Sequence, residues 1–93
     1  MSETNTIRQF KIVNVKGLHA RASARFVEVV EGYEADAVVR RDGLSAAGDS
    51  IMGLLMLAAS IGTFIEVETN GAEAEALLDA LEALVADRFG EDT

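Results

Sequence analysis

The chain has no cysteine and no proline, one histidine, and half as many basic as acidic side chains. Without cysteine, disulfides and thiol chemistry are excluded. One histidine with no carboxylates clustered beside it in sequence cannot cage a transition metal, so no metal and no cofactor is expected. Eight Lys and Arg against sixteen Asp and Glu give a net charge of −8. Nucleic acid is thereby disfavoured as a partner, because its phosphates call for clustered cations. The acidity itself reads first as solubility. The longest apolar stretch, residues 51–59, falls far short of the roughly 20 residues that span a bilayer. Residues 1–6 are polar and lack the apolar run of a signal peptide. These absences together point to a soluble cytoplasmic protein.

What is present is enough for a core. Of the 93 residues, 49% are hydrophobic, which suits one small domain over 1–93 with residues 1–6 flexible. Residues 7–15 read as a strand, with Phe10 and Ile12 alternating against Gln9 and Lys11. After Gly17 the period becomes helical over residues 20–30. Ala20, Ala24, Phe26, Val27 and Val30 fall within an arc of about 160°, and Gly32 ends the helix. Residues 35–41 alternate as a strand, Asp42-Gly43 suits a type I′ hairpin turn, and Leu44–Ala47 returns. Asp49 or Ser50 caps a second helix running to about residue 60. Residues 63–69 form the clearest strand, with Ile65 and Val67 set against Glu66 and Glu68. Asn70 with Glu73 matches a variant capping box for a last helix that buries Ala74, Leu77, Leu78, Leu81, Leu84 and Val85 and stops by Gly90. The order β-α-β-β-α-β-α, with helices gathered on one face of an antiparallel sheet, is an α+β open-faced sandwich.

His19 stands at the loop-to-helix boundary in Gly17-Leu18-His19-Ala20-Arg21. Helix N-termini offer unpaired N–H groups and partial positive charge, and so favour an anion. An imidazole with an ordinary pKa of about 6.5 keeps a neutral, nucleophilic nitrogen at pH 7. A phosphoryl group on this ring would lie within reach of backbone donors, with Arg21, Arg25 and Lys16 adding positive charge. Against this stands the common role of a lone histidine as a surface or capping residue.

Residues 51–59 are apolar or glycine at every position, whereas a surface helix needs only one apolar stripe. In so small a domain part of that helix is expected to be exposed, and exposed apolar patches mark docking sites. Met52 and Met56 give such a patch the ability to adapt to several partners. The bland reading is an unusually buried helix. Ser50 is an ordinary N-cap and also a candidate phosphosite, where added charge would hinder docking on the adjacent patch.

Together these pieces resemble the HPr family, the histidine-containing phosphocarriers of the bacterial phosphotransferase system. Gly17-Leu18-His19-Ala20-Arg21 resembles the family's active-site loop. Ser50-Ile51-Met52-Gly53, thirty-one positions beyond His19, resembles its regulatory-serine motif. The resemblance covers residues 7–89 and implies an HPr-like four-stranded antiparallel sheet with three helices on one face. It further implies that enzyme I phosphorylates His19 on Nδ1 and that the group then passes to an enzyme IIA-type protein. Arg21 would steady the phosphoryl group. Ala20, Ala24, Arg25, Ile51, Met52, Leu55 and Met56 would form the docking surface, and Ser50 would answer to an HPr kinase/phosphorylase. A carrier that docks alternately with two partners is simplest as a monomer.

Two positions depart from the family pattern. Ala22 stands where most members have proline, and Ala22-Ser23 after the arginine resembles carriers of the nitrogen-related branch. Asp49 places a negative charge directly before Ser50.

Three readings follow. A phosphocarrier, a stoichiometric relay rather than a turnover enzyme, loses its function with His19. A regulatory interaction module acting through the apolar second helix keeps its function without His19. An enzyme using His19 as a general base is disfavoured, because no second catalytic group is apparent near His19 in sequence.

Overall fold

A computed structural model describes residues 5–93, so residues 1–4 of the expected flexible segment lie outside the described residues. The elements are β1 (Asn5–Lys11), α1 (Ala20–Glu31), β2 (Asp36–Arg41), β3 (Leu44–Ala47), α2 (Ile51–Met56), β4 (Phe64–Asn70) and α3 (Ala74–Ala86), followed by a 3₁₀ turn, Arg88–Gly90. Asn5 and Thr6, the rest of that segment, open β1 opposite Asn70 and Thr69.

The four strands form one antiparallel sheet in the order β1-β4-β2-β3. Central β4 shows the two-residue period of a sheet with one covered face: Ile65, Val67 and Thr69 are buried between half-exposed Glu66 and Glu68. Its partners bring Phe10, Ala37, Val39 and Ala46 to the same face, where all three helices lie. Phe26, Val27 and Val30 of α1, Leu54 of α2 and Leu77, Leu78, Leu81 and Val85 of α3 complete a single core. Leu84 is only partly buried against it. No helix among the described residues is long and apolar enough to cross a membrane.

Several expected boundaries move. Hydrogen-bonded pairing at β1 weakens past Lys11, although Ile12 still exchanges bonds with Thr63 and Gly62. The buried face of α1 comprises Ala22, Ser23, Phe26, Val27 and Val30, so it is rotated by about 50° from the arc drawn on the sequence. Ala20 and Ala24 consequently face solvent. The helix α2 stops at Met56 rather than near residue 60, because Ala58 takes a left-handed conformation (φ 51°). That reversal sends Leu57 and Ala59 back into the core. No capping box forms at α3: its cap is Glu73, whose carboxylate accepts from the Glu34 N–H instead. The Asp42-Gly43 turn has positive φ at both positions (50° and 80°), as a type I′ hairpin requires.

Candidate functional site

The loop before α1 is shaped by one glycine. Gly17 has φ +66°, and a Cβ there would stand 2.4 Å from the Ala59 carbonyl oxygen. Only glycine allows both the left-handed turn and this close approach. The approach is then locked by the Leu18 N–H, which donates to the same Ala59 carbonyl at 2.9 Å. The early end of α2 is what makes Ala59 available.

His19 follows as the N-cap of α1, with extended backbone (φ −78°, ψ −175°). Its carbonyl accepts from the Ser23 N–H at 2.8 Å, and its Nδ1 accepts from the Arg21 N–H at 3.3 Å. The ring nitrogen thus takes the place that a serine or aspartate oxygen normally fills at an N-cap. The 3.3 Å contact is at the long limit for a hydrogen bond, so Nδ1 is only loosely engaged.

On the other side of the ring, Nε2 meets the carboxylate of Glu91, seventy-two residues further on. The sequence offered no sign of this partner: no second catalytic group is apparent near His19 in sequence, and the one that meets it in space lies far along the chain. Two features deliver Glu91. Phe89, fully buried, anchors the tail after α3, with Arg88 and Phe89 both at positive φ (57° and 55°) turning the chain back. Asn14, also fully buried, then donates one N–H to Gly17 O at 2.8 Å and one to Glu91 Oε1 at 3.0 Å. The Val15 N–H ties the tail further, donating to Thr93 O at 3.2 Å. Burial pushes the Glu91 carboxyl up. The hydrogen bonds from Asn14 and His19, with the positive charge of His19 and Lys16, outweigh it and hold the group below the usual glutamate value. An apolar residue, Phe89, three places beyond the end of α3 was the one sequence signal that this tail is packed.

Arg21, Arg25 and Lys16 line an open groove with Gly90, Glu91, Asp92 and Thr93 beside His19. None of the three cations forms an ion pair with another described residue. In so acidic a chain, cations gathered near a helix N-terminus with no ion pair among the described residues can attract an added anion. Among the described residues no group of His, Asp and Glu could hold a metal ion.

Ser50 caps α2, its Oγ accepting from the Gly53 N–H at 3.0 Å. Asp49 is exposed on the preceding turn. A Cβ on Gly53 would stand 3.1 Å from both Ala46 Cβ and Ser50 Oγ, which explains a glycine inside this short helix. Leu54 points into the core, whereas Ile51, Met52 and Met56 are 40%, 70% and 71% exposed and Leu55 is half-buried. A second groove brings Ile51 together with Arg21, Ala24 and Arg25 of α1. The exposed side of α1 at Ala24 and Arg25 thus adjoins the apolar end of α2, while Ala20 on α1 and Met52, Leu55 and Met56 on α2 lie outside that groove.

Comparison with known proteins adds an independent line. The family model described as PTS HPr component phosphorylation site matches residues 7–87. The phosphocarrier protein HPr of Cupriavidus necator is 43% identical over 84 residues, covering 90% of this chain and 94% of the relative. The phosphocarrier protein NPr of Escherichia coli K12 is 38% identical over 89 residues, covering 94% and 99%. The crystal structure of a phosphocarrier protein HPr from Bacillus anthracis superposes with a TM-score of 0.84 at 34% identity, covering 88% of this chain and 98% of that one.

Proposed function

The chain belongs to the HPr family of the phosphotransferase system, and on that premise we propose that His19 receives a phosphoryl group from phosphorylated enzyme I and passes it to a histidine of an enzyme IIA-type protein. The observation that carries this reading is the His19 ring serving as N-cap of α1, with Lys16, Arg21 and Arg25, which form no ion pair among the described residues, in the groove lined by its partner Glu91.

In the proposed transfer, the Nδ1 lone pair attacks phosphorus while the bond from phosphorus to the donor's ring nitrogen breaks, its electron pair leaving with the donor. The Arg21 N–H that now touches Nδ1, together with the other free donors of the first helical turn, then faces phosphoryl oxygens. The Arg21 guanidinium steadies their charge, with Arg25 and Lys16 behind it. No metal takes part in the carrier's own chemistry. The reaction is stoichiometric, and the protein acts as a cytoplasmic monomer carrying one domain's worth of chain.

Docking uses Ala20, Ala24, Arg25, Ile51, Met52, Leu55 and Met56, an apolar landing surface rimmed by cations. Ser50 regulates it: a phosphoryl group esterified to the capping hydroxyl would place charge directly against Ile51 and Met52, where desolvation makes docking costly. The large exposure of Met52 and Met56 also favours a second reading, a regulatory module that binds its partner through α2.

Intact-mass spectrometry with phosphoenolpyruvate, magnesium and catalytic enzyme I tests the first reading. One acid-labile phosphoryl group is expected, absent in His19→Ala. Full phosphorylation of His19→Ala would overturn it. Under the second reading His19→Ala keeps all partner binding, and Met52→Asp alone abolishes it.

A further inference from the structure

We infer that Glu91 is a positioning residue for His19: its carboxylate, clamped by Asn14, holds the ring proton on Nε2 and so leaves the Nδ1 lone pair free. The inference rests on the phosphocarrier reading for its consequence but on geometry for its existence.

Two contacts select one tautomer. Nδ1 accepts from the Arg21 N–H, so it carries no proton in that bond. Nε2 faces the Glu91 carboxylate, an acceptor when ionised, and so must donate. The carboxylate is itself fixed. Asn14 gives both its amide hydrogens to acceptors, Gly17 O and Glu91 Oε1, and this defines which end of the amide faces Glu91. A surface ion pair would hold a ring weakly, but here the Glu91 side chain is 15% exposed and the His19 side chain 25%. The tail is anchored besides by buried Phe89 and by the Val15–Thr93 bond.

Such a clamp has a chemical consequence in both directions of transfer. As Nδ1 bonds to phosphorus and the donor nitrogen leaves, positive charge spreads over the His19 ring, and the carboxylate faces it across Nε2. When the P–Nδ1 bond later breaks, the electron pair returns to Nδ1 and the proton is still on Nε2, so the ring departs as neutral imidazole. No proton has to enter or leave between accepting and donating.

Long-range ¹H–¹⁵N correlation of the ring, paired with transfer kinetics from enzyme I, tests this in the full chain. The wild type is expected to show a single neutral tautomer with a strongly deshielded Nε2 proton. Glu91→Ala is expected to lose that proton signal and populate both tautomers. Its kcat for phosphoryl transfer should fall about 10- to 100-fold, with KM for the carrier changed by less than about twofold, because the docking face is untouched. Glu91→Gln, close in shape and still able to accept, should fall less than Glu91→Ala. Asp87→Asn, which removes a charge from the same segment outside the groove, should leave both readouts as they are. An unchanged ring signature in Glu91→Ala, or transfer at the wild-type rate, overturns the inference. A wild type with the expected ring signature but no phosphorylation instead overturns the carrier reading and leaves the clamp standing.

Discussion

His19 and Ser50 occupy the same local position, each an N-cap whose side chain accepts a helix N–H and can chemically bear a phosphoryl group. Their surroundings separate them. The Ser50 hydroxyl accepts at 3.0 Å and is bracketed by Asp49, Ile51 and Met52, with no cation in its cap. The His19 nitrogen accepts at 3.3 Å, is held from behind by a carboxylate, and is flanked by Lys16, Arg21 and Arg25. The helix that follows His19 runs 12 residues and the one that follows Ser50 only 6, so the aligned peptide dipoles are also unequal. A helix N-cap therefore supplies a location, while the groups packed around it decide which chemistry the location can support.

The largest test transplants the side chain and leaves the surroundings. In a double variant with His19→Ala and Ser50→His, the imidazole sits at a helix N-cap beside the same docking surface, but without the Glu91 carboxylate against its ring and without Lys16, Arg21 and Arg25 at its own cap. Intact mass after incubation with phosphoenolpyruvate and enzyme I is expected to show no phosphoryl group. Any substantial phosphorylation would mean that cap and docking surface suffice, and the comparison would collapse.

Next comes the glycine that shapes each cap. At Gly17 an alanine meets both a left-handed backbone and a fixed carbonyl at 2.4 Å, so Gly17→Ala should destabilise by about 3 kcal/mol. At Gly53 the neighbours stand at 3.1 Å and the backbone is helical. There the tight contact opposes a helix-propensity gain of about 1 kcal/mol, and the net change for Gly53→Ala should stay within about 1 kcal/mol. Urea unfolding of both variants checks the contrast, which fails if the two costs are equal.

Much of this was legible because it is local. The loop-to-helix switch at Gly17, the Asp42-Gly43 turn and the alternation of Ile65 with Glu66 each announce themselves within a few residues. The Ser50 cap and the exposed methionines were readable for the same reason. What escaped depends on distant chain. An all-apolar run gives no stop signal, so the end of α2 was set by Ala58 turning left-handed and Ala59 meeting Leu18. Ala20 and Ala24 looked core-facing because alanine is apolar, and they lie outward because Ala22 and Ser23 pack inward. Glu73 seemed a capping-box partner until Glu34 claimed its carboxylate. Glu91 was invisible for the strongest reason: its link to His19 needs Phe89 buried, two residues at positive φ and an asparagine fixed seventy-seven positions earlier.

Removing the serine cap should have a smaller effect than disturbing Gly17. Ser50→Ala leaves the Gly53 N–H without its side-chain acceptor, and about 1 kcal/mol of stability should be lost. Since the hydroxyl does not titrate, the urea-derived stability of Ser50→Ala should run parallel to the wild type at every pH. A cap worth nothing there would mean that solvent already serves the Gly53 N–H.

The His19 side should behave differently in acid, and this is the finest distinction between the two caps. The folded value of the Glu91 carboxyl lies below its unfolded value, which is about 4.3. The contact therefore stabilises the fold fully above that value and loses its contribution as pH falls through the lower, folded one. In this window the unfolded chain binds the proton first, so stability drops with acidity. The groups facing the carboxylate are His19, Asn14 and Lys16. Subtracting the stability curve of Glu91→Gln from that of the wild type should leave a difference that declines as pH falls below about 4.3. The matching subtraction for Ser50→Ala should leave a flat line. A flat line for Glu91→Gln as well would mean that the tail carboxylate is not held against His19 in solution, and the two caps would then differ only in their cations.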